Sequence, residues 1–235
     1  MSEYAQNMLK KILTADNTES FLNETVGESY HSYSGAVEEA LKKYAIPCKI
    51  RELAKEQGKI RILDFCFGLG YNSAMAISVA LQENPDCEIE VVGLENDVEI
   101  IKRIPEVNPP IPYYQNYKRI QPIHQEKNHP GSWGLSDGTV SVKVLLGDAR
   151  ETVKQLPADY FDAIFYDPFS PKTMPELWSM ELFQEMARVM KSSALLATYS
   201  CARTVRENMS KAGLLYDEGP IVGRRGPGTV ATKWV

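Results

Sequence analysis

Residues 61–72 read Arg-Ile-Leu-Asp-Phe-Cys-Phe-Gly-Leu-Gly-Tyr-Asn, and this stretch decides the fold. Its first half is an apolar run that ends on the carboxylate of Asp64, which predicts a buried strand ending at a ligand site. Gly68 and Gly70 then provide a tight turn with bare backbone against which a ligand can lie. The apolar residues within 73–81 predict a helix packed on a sheet. A strand, a glycine turn and a helix in this order predict the first unit of a nucleotide-binding crevice.

The acid at the strand end indicates which nucleotide the crevice binds. A dinucleotide fingerprint has a third glycine after the turn, where this chain has Ser73, and a pyrophosphate would meet the negative charge of Asp64. A carboxylate suits a cationic ligand, and S-adenosylmethionine carries an amino group and a sulfonium. The pattern Asp-x-x-x-Gly-x-Gly resembles the first motif of class I methyltransferases, with Cys66 in place of the usual glycine. A plain turn without a ligand is the alternative. The candidate cofactor contacts of this unit are Asp64, Phe67, Gly68, Gly70 and Asn72.

Three further predicted strands also end on acids. The strands lie over 88–94, 140–146 and 161–166, and the acids that follow them are Glu95, Asp148 and Asp167. Because ligands bind at the carboxyl ends of the strands in a doubly wound sheet, we expect these acids to converge in one crevice. Glu95 can accept hydrogen bonds from ribose hydroxyls, and Asp148, followed by Ala149, can accept one from an adenine amino group. Glu95, Asp148, Ala149 and Asp167 are therefore candidate cofactor contacts.

The segment after the fourth of these strands is where we expect the chemistry. Asp167 is followed by Pro168 and Phe169, which resembles the Asp/Asn-Pro-Pro-aromatic motif of methyltransferases that act on amino groups. A carboxylate and rigid backbone carbonyls can accept hydrogen bonds from an amine and direct its lone pair at a methyl group. Asp167 is therefore the predicted catalytic residue, and Phe169 a predicted wall of the substrate site.

Composition and charge limit the classes of function. A chain of 235 residues with 43% hydrophobic and 24% charged residues is expected to form one globular domain. No apolar run is long enough to cross a membrane, and the polar start lacks a signal-peptide core, so we expect a cytoplasmic protein. The four cysteines show no CxxC spacing, and His124 and His129 have no companion ligands, so we expect neither a disulfide nor a metal site. The net charge of −5 argues against a general nucleic-acid binder, but basic residues within 201–235 permit a local anionic partner.

Two regions stand outside the repeating strand–helix pattern. Residues 1–59 are expected to form an N-terminal extension that packs on a catalytic domain of residues 60–235. Within the extension, residues 1–15 have the apolar spacing of a short amphipathic helix. Residues 105–138 contain six prolines and form an insertion of the kind that serves as a lid or a binding loop.

Two loops contain candidate substrate contacts. The first loop, residues 27–35, is polar and rich in aromatic residues, and its candidates are Tyr30, His31 and Ser32. The alternative for His31 is a structural role, because a histidine beside tyrosines is commonly a satisfied structural group. The second is the glycine-rich loop 219–228 between the last two predicted strands, which contains Arg224 and Arg225. Flexible main chain and forked guanidinium donors suit a phosphate backbone.

Several of these motifs together resemble the MnmC-type tRNA methyltransferases. The resemblance spans about residues 24–230, and the shared stretches are 27–32, the glycine loop after Asp64, 167–172, 175–178, 198–200 and 223–225. It implies an α/β, Rossmann-like class I methyltransferase fold: a seven-stranded, mostly parallel sheet with an antiparallel last strand and helices on both faces.

The same resemblance implies an activity. The family methylates the aminomethyl group of the modified wobble uridine in tRNA, with S-adenosylmethionine as cofactor, and forms 5-methylaminomethyl(-2-thio)uridine. Asp167 would orient, and could deprotonate, the substrate amine. The implied substrate contacts are Tyr30, His31, Ser32, Phe169, Lys172, Arg224 and Arg225.

Other interpretations stay open. The bifunctional members of the family carry a flavin-dependent oxidase domain that has no counterpart here, so we expect a stand-alone methyltransferase. A small-molecule amine transferase, such as an aminopropyltransferase, would require more acids around the Asp167 loop than Ser170, Pro171 and Lys172 offer. A non-catalytic module that binds S-adenosylmethionine or RNA is disfavoured, because the Asp-Pro-Phe segment is present.

Overall fold

A computed structural model describes residues 9–109, 115–125, 127–129, 131–223 and 225–234. The chain begins with a small antiparallel sheet of three strands, β1 (Leu9–Leu13), β2 (Glu19–Asn23) and β3 (Glu28–Ser29). The helix predicted for residues 1–15 is therefore wrong over 9–13, and residues 1–8 lie outside the described residues. The apolar spacing is compatible with a helix, but pairing with β2 along the whole of β1 satisfies its backbone instead.

A nine-stranded mixed sheet forms the centre of the molecule. Its strands are β4 (Lys59–Phe65), β5 (Glu88–Glu95), β6 (Lys127–His129), β7 (Ser132–Ser136), β8 (Val140–Leu146), β9 (Phe161–Tyr166), β10 (Met190–Thr198), β11 (Leu214–Glu218) and β12 (Thr229–Lys233). They lie in the order β11-β12-β10-β9-β4-β5-β8-β7-β6. The five central strands from β10 to β8 are parallel, whereas β12 is antiparallel to both of its neighbours.

The predicted seven-stranded arrangement is present from β11 to β8, and the count of seven is corrected to nine by the insertion. Within residues 105–138, β6 and β7 form a hairpin, and β7 pairs antiparallel with β8, placing Trp133 opposite Val144. Trp133 is only 3% exposed, and Ile120 and Ile123 are fully buried. The described part of the insertion therefore extends the sheet and adds to its core.

Helices cover both faces of the sheet, as predicted. They are α1 (Ala36–Glu39), α2 (Ile50–Glu56), α3 (Tyr71–Glu83), α4 (Val98–Arg103), α5 (Tyr117–Ile120), α6 (Ala149–Thr152), α7 (Met180–Val189) and α8 (Arg203–Lys211), with 3-10 turns at Ile104–Glu106, Gln121–Gln125, Val153–Gln155 and Pro175–Trp178. Strand β4 shows why both faces need cover: Ile62 packs in one core with α1 to α3, and Leu63 in the other with α7 and α8.

The N-terminal segment contributes to the first of these cores. Helix α1 continues as a π-helical stretch, Ala40–Ala45, which packs on α3 together with α2. Ala36, Ala40, Tyr44 and Ile50 are all almost fully buried there. The predicted division of the chain at residue 59 stays a prediction. No helix within the described ranges combines the length and apolarity that crossing a bilayer requires.

Candidate active site

A cavity of about 500 Å³ opens at the carboxyl ends of the central strands. Its size lies within the range of ~300–1,000 Å³ that is usual for small-molecule sites. Eleven of the residues proposed from sequence line it: Tyr30, His31, Ser32, Phe67, Gly68, Asn72, Glu95, Asp148, Ala149, Asp167 and Phe169. Asp64, Gly70, Lys172 and Arg225 do not line it, and Arg224 lies outside the described residues. The binding roles of all these residues stay predictions.

The glycine turn is shaped by Phe67 and a strained cysteine. Gly70 donates its backbone N–H to the Phe67 carbonyl at 2.8 Å and has a φ of 75°, and a Cβ at this position would lie 2.8 Å from the Phe67 ring. Only glycine fits there. Cys66, at a φ of 68°, has the left-handed conformation that a glycine would adopt without strain. The turn therefore keeps its shape although the usual glycine is replaced.

Asp64 lies fully buried beneath this turn. Its Oδ2 accepts a hydrogen bond from the Ser73 hydroxyl at 2.5 Å, while its Oδ1 has no hydrogen-bond partner among the described residues. Burial raises the pKa of Asp64 well above its usual range. An unsatisfied buried carboxyl oxygen is costly, so a donor from a ligand would relieve it. This supports a cation or amino group above the turn.

Glu95 fixes the turn to the end of β5. One of its carboxylate oxygens accepts the backbone N–H of Gly68 at 2.8 Å, and the other accepts those of Asn96 and Asp97 at 2.9 and 2.8 Å. Burial raises the pKa of Glu95 to about 7 although these bonds favour the charged form. Its place in the cavity wall leaves it able to accept hydrogen bonds from hydroxyl groups.

Asp148 differs from the other acids because it is solvated and paired. Its carboxylate accepts hydrogen bonds from the Arg150 guanidinium at 2.9 and 3.0 Å and from the Arg150 backbone N–H. Arg150 lowers the pKa of Asp148. Asp148 is therefore ionised at neutral pH and can accept a hydrogen bond from an amino group at this end of the cavity.

Asp167, at the end of β9, is held by two donors from different parts of the chain. The Tyr44 hydroxyl donates to Oδ1 at 2.5 Å, and the Asn72 amide donates to Oδ2 at 3.0 Å. Burial, with the nearby charge of Glu39 adding to it, raises the pKa of Asp167 to about 7. A carboxyl group with this pKa and a fixed orientation is suited to exchange a proton near neutral pH.

The predicted aromatic loop forms the wall opposite the strand ends. The Tyr30 hydroxyl donates to Asp97 at 2.7 Å, and its ring meets Phe169 edge-on at 5.1 Å. His31 Nδ1 lies 2.8 Å from the Ser20 hydroxyl, and burial lowers the pKa of His31 to about 4, so it is neutral. His31 is thus both a satisfied structural group and part of the cavity wall.

Three residues of the site lack a sequence signal that assigns them. Tyr44 is buried on the π-helical stretch. Glu39 lines the cavity, accepts the Ser32 backbone N–H at 2.8 Å and pairs with Lys43. Glu28 accepts the Ser170 backbone N–H at 2.9 Å and so fastens the loop after Asp167 to β3. Glu28 lies within a quoted motif, but its partner is 142 residues away in the sequence.

The residues present fit S-adenosylmethionine. Glu95, Asp148 and Asp167 line one cavity, with Asp64 beneath it, so carboxyl groups that can accept hydrogen bonds from an ammonium are concentrated there, and Asp148 contributes a negative charge that a sulfonium favours. The Gly68 N–H is already bonded to Glu95, which leaves the turn poorly suited to a pyrophosphate. Within the described ranges, no three His, Cys, Asp or Glu side chains group as metal ligands.

Two features together define a class I S-adenosylmethionine-dependent methyltransferase. They are the strand order, in which antiparallel β12 lies between β10 and β11, and the acids at the strand ends. Residues 117–234 match a family described as S-adenosyl-L-methionine-dependent methyltransferase. The crystal structure of MnmC2 from Aquifex aeolicus superposes with a TM-score of 0.86 and 32% identity, covering 97% of this chain and 71% of that one. The chain belongs to the MnmC2-like methyltransferases.

Two curated relatives are longer than this chain. An uncharacterized protein of Methanocaldococcus jannaschii is 30% identical over 222 residues, which are 94% of this chain and 58% of the relative. The tRNA 5-methylaminomethyl-2-thiouridine biosynthesis bifunctional protein MnmC of Azoarcus sp. is 30% identical over 208 residues, or 84% of this chain and 31% of that protein. The chain therefore spans between about a third and three fifths of the curated relatives' lengths.

Proposed function

We propose that this protein methylates the aminomethyl nitrogen of a modified wobble uridine in tRNA, forming 5-methylaminomethyl(-2-thio)uridine. The observation that carries the proposal is Asp167, a buried carboxyl group held by Tyr44 and Asn72 in the wall of the cavity beside Phe169. The name of the Azoarcus relative, which refers to 5-methylaminomethyl-2-thiouridine biosynthesis in tRNA, supports the identity of the amine. Cytoplasmic location stays a prediction.

The proposed reaction is a direct displacement. S-adenosylmethionine, when bound, supplies an electrophilic methyl group on its sulfonium. Glu95 would hold the ribose, Asp148 the adenine, and the Gly68–Gly70 turn the methionine part. Asp167 would accept a hydrogen bond from the amine and take its proton, so that the nitrogen lone pair faces the methyl group. Because no covalent enzyme intermediate is required, positioning would supply most of the acceleration.

Phe169 and Tyr30 would form the apolar side of the substrate site. Their rings meet edge-on at 5.1 Å, and both line the cavity next to Asp167. Such a wall can contact the face of a planar base while the aminomethyl group reaches the carboxyl group. Lys172 and Arg225, which lie outside the cavity, are proposed phosphate contacts, and so is Arg224 on the grounds of sequence.

The test is mass analysis of nucleosides. Transfer RNA that contains the aminomethyl uridine is incubated with the enzyme and methyl-labelled S-adenosylmethionine, then digested. We expect the label in 5-methylaminomethyl uridine or its 2-thio form. Label on free polyamines or on protein, with none on tRNA, would refute the proposal.

A small-molecule amine transferase is the second candidate, and one observation favours it. Glu28 and Glu39 add two carboxylates to the cavity wall that the sequence pattern does not assign there. Both are engaged, however: Glu28 with Ser170 and Thr173, and Glu39 with Lys43 and Ser32. Incubating the enzyme with polyamines and the same labelled cofactor would distinguish the two candidates.

A further inference from the structure

We infer that Tyr33 is a stacking platform for an unpaired base of the RNA substrate, next to the nucleotide that enters the cavity. The inference rests on the proposed function and adds how the RNA is held. It identifies the substrate as single-stranded loop RNA, since a base within a duplex has no free face to stack on Tyr33.

The Tyr33 side chain is exposed although its backbone is fixed. Its ring is 79% exposed, the highest value among the large hydrophobic side chains described. Its carbonyl accepts the Ala15 backbone N–H at 2.8 Å. Before Tyr33 in the chain, the Ser32 backbone N–H donates to the Glu39 carboxylate at 2.8 Å. After it, Gly35 packs so closely on Asp16 that a Cβ at Gly35 would overlap the Asp16 carboxylate. The ring is thus presented on a rigid support, which lowers the entropic cost of binding.

Tyr33 directly follows two residues of the cavity wall. The preceding residues His31 and Ser32 line the cavity, and the Ser32 hydroxyl is hydrogen-bonded to that of Ser34 at 2.7 Å. A base stacked on Tyr33 would therefore adjoin a nucleotide whose modified base lies inside. Successive nucleotides of an extended loop can occupy two such neighbouring positions.

The loop between β11 and β12 packs against the loop that contains Tyr33. Gly223 packs directly on Ser34, because a Cβ at Gly223 would fall 2.0 Å from the Ser34 hydroxyl. Buried Val222 anchors this loop, while Ile221 and Arg225 are exposed. We call residues 31–35 and 221–223 with Arg225 the mouth rim. An aromatic face beside a loop with a guanidinium is the combination that single-stranded nucleic acid requires.

The chemistry of the mouth rim favours a base on Tyr33 over a phosphate or an apolar partner. The Asp16 carboxylate beneath Gly35 would repel a phosphate on this side. Two serines flank Tyr33, so its ring is an isolated apolar face within a polar loop. A single planar face suits a single planar base, and phosphate contacts fall to exposed Arg225.

The experiment uses anticodon stem-loop RNA carrying the aminomethyl uridine, in three forms: intact, abasic on the 5′ side of that uridine, and abasic on its 3′ side. With intact RNA, Tyr33→Ala should raise KM about tenfold to a hundredfold, the cost of losing one base stack. The rate at saturating RNA and the affinity for S-adenosylmethionine should stay unchanged. Tyr33→Phe and Tyr33→Trp should restore KM, because the aromatic face and not the hydroxyl group binds.

The matched control is Trp234→Ala. Trp234 is 75% exposed, but it follows β12 at the end of that strand away from the 219–228 loop, where its backbone N–H donates to the Gly213 carbonyl. This variant should leave KM for RNA unchanged.

A double-mutant comparison decides whether the contact is a base stack. With wild-type enzyme, one of the two abasic RNAs should raise KM as much as Tyr33→Ala raises it with intact RNA. With the Tyr33→Ala enzyme, the same abasic RNA should raise KM no further. Unchanged KM in Tyr33→Ala, or equal abasic losses in both enzymes, would overturn the inference while leaving the proposed function intact. Absence of methylation of every RNA by wild-type enzyme would refute the proposed function and the stacking role together.

Discussion

At the scale of single residues, Asp167 is the group on which the proposed chemistry depends. Asp167→Ala and Asp167→Asn should reduce methyl transfer by about 10²–10⁴-fold, the usual contribution of a positioned acid–base group. Cofactor binding should stay nearly intact, because Glu95, Asp148 and the glycine turn do not change. Activity is measured by label transfer to tRNA and binding by calorimetry.

The same variants provide an internal check on folding. Since burial disfavours the charged form of Asp167, removal of that charge by Asp167→Asn should not lower the melting temperature at pH 8. Equal losses of cofactor affinity and of activity would place Asp167 in the cofactor site instead.

Tyr44 is expected to set the pH range in which Asp167 works. Its hydrogen bond favours the ionised carboxylate and lowers the pKa of Asp167 against the larger effect of burial. Tyr44→Phe should therefore move the acid limb of the pH–rate profile upward by about one pH unit, because the base then ionises only at higher pH.

Tyr160→Phe is the control for this prediction. It also removes a hydroxyl that donates to a carboxylate, that of Glu90 at 2.8 Å, but neither residue lines the cavity. The acid limb of the pH–rate profile of Tyr160→Phe should match that of the wild-type enzyme. A Tyr44→Phe enzyme with lower activity and an unmoved profile would give Tyr44 a purely structural role.

The acids of the site are predictable from sequence, whereas their partners are not. Glu95, Asp148 and Asp167 follow apolar strands, and parallel topology brings such ends to one edge. Tyr44 reaches Asp167 from 123 residues away, and its helix shows no pattern that distinguishes a site residue from a core residue. Only the packing of α1 and its π-helical stretch on α3 brings the two together.

At the scale of elements, the β6–β7 hairpin has a structural role in its described part. None of its described residues lines the cavity, and Trp133 is buried against the core. Trp133→Ala should lower the free energy of unfolding by about 3–5 kcal/mol, through lost burial and the hole left behind. At a temperature where the variant is folded, kcat and KM should equal those of wild type.

Chemical denaturation and steady-state kinetics check this expectation, with exposed Trp234→Ala as the control that should cost little stability. A large change in KM for RNA in folded Trp133→Ala would instead connect the insertion to the substrate mouth.

Element prediction succeeds where local pattern and tertiary contacts agree. The apolar runs of β4, β5 and β9 are buried over most of their length on both faces, so composition alone identifies them, while β8 shows the alternating burial of a strand with one more exposed face. Residues 9–13 are too few for their spacing to decide between helix and strand, and pairing with β2 decides it. The hairpin within 105–138 is hidden by prolines and polar residues, since its strands are short and depend on the edge of β8.

At the scale of the whole molecule, the cavity concentrates acids in a small volume. Burial raises the pKa values of Asp167 and Glu95 to about 7, so each is largely neutral at pH 6 and largely ionised at pH 8. His31, with a pKa near 4, stays neutral throughout this range. The affinity for S-adenosylmethionine should therefore rise between pH 6 and pH 8, because the cavity gains negative charge as the pH increases.

S-adenosylhomocysteine, which lacks the sulfonium charge, separates charge attraction from other effects of pH. Calorimetry at several pH values should show a steeper increase for S-adenosylmethionine than for S-adenosylhomocysteine. Parallel curves for the two ligands in wild-type enzyme would contradict this account.

The hydrogen bonds around the cavity also constrain when a newly made chain can become active. They join Tyr30 to Asp97, Tyr44 to Asp167 and Glu28 to Ser170, across 67, 123 and 142 positions. During synthesis the early segment leaves the ribosome long before β9 exists, so its polar groups must wait for their partners. A nascent chain thus lacks an assembled centre, and it cannot consume methyl donor, until β9 and the loop that follows it have been made.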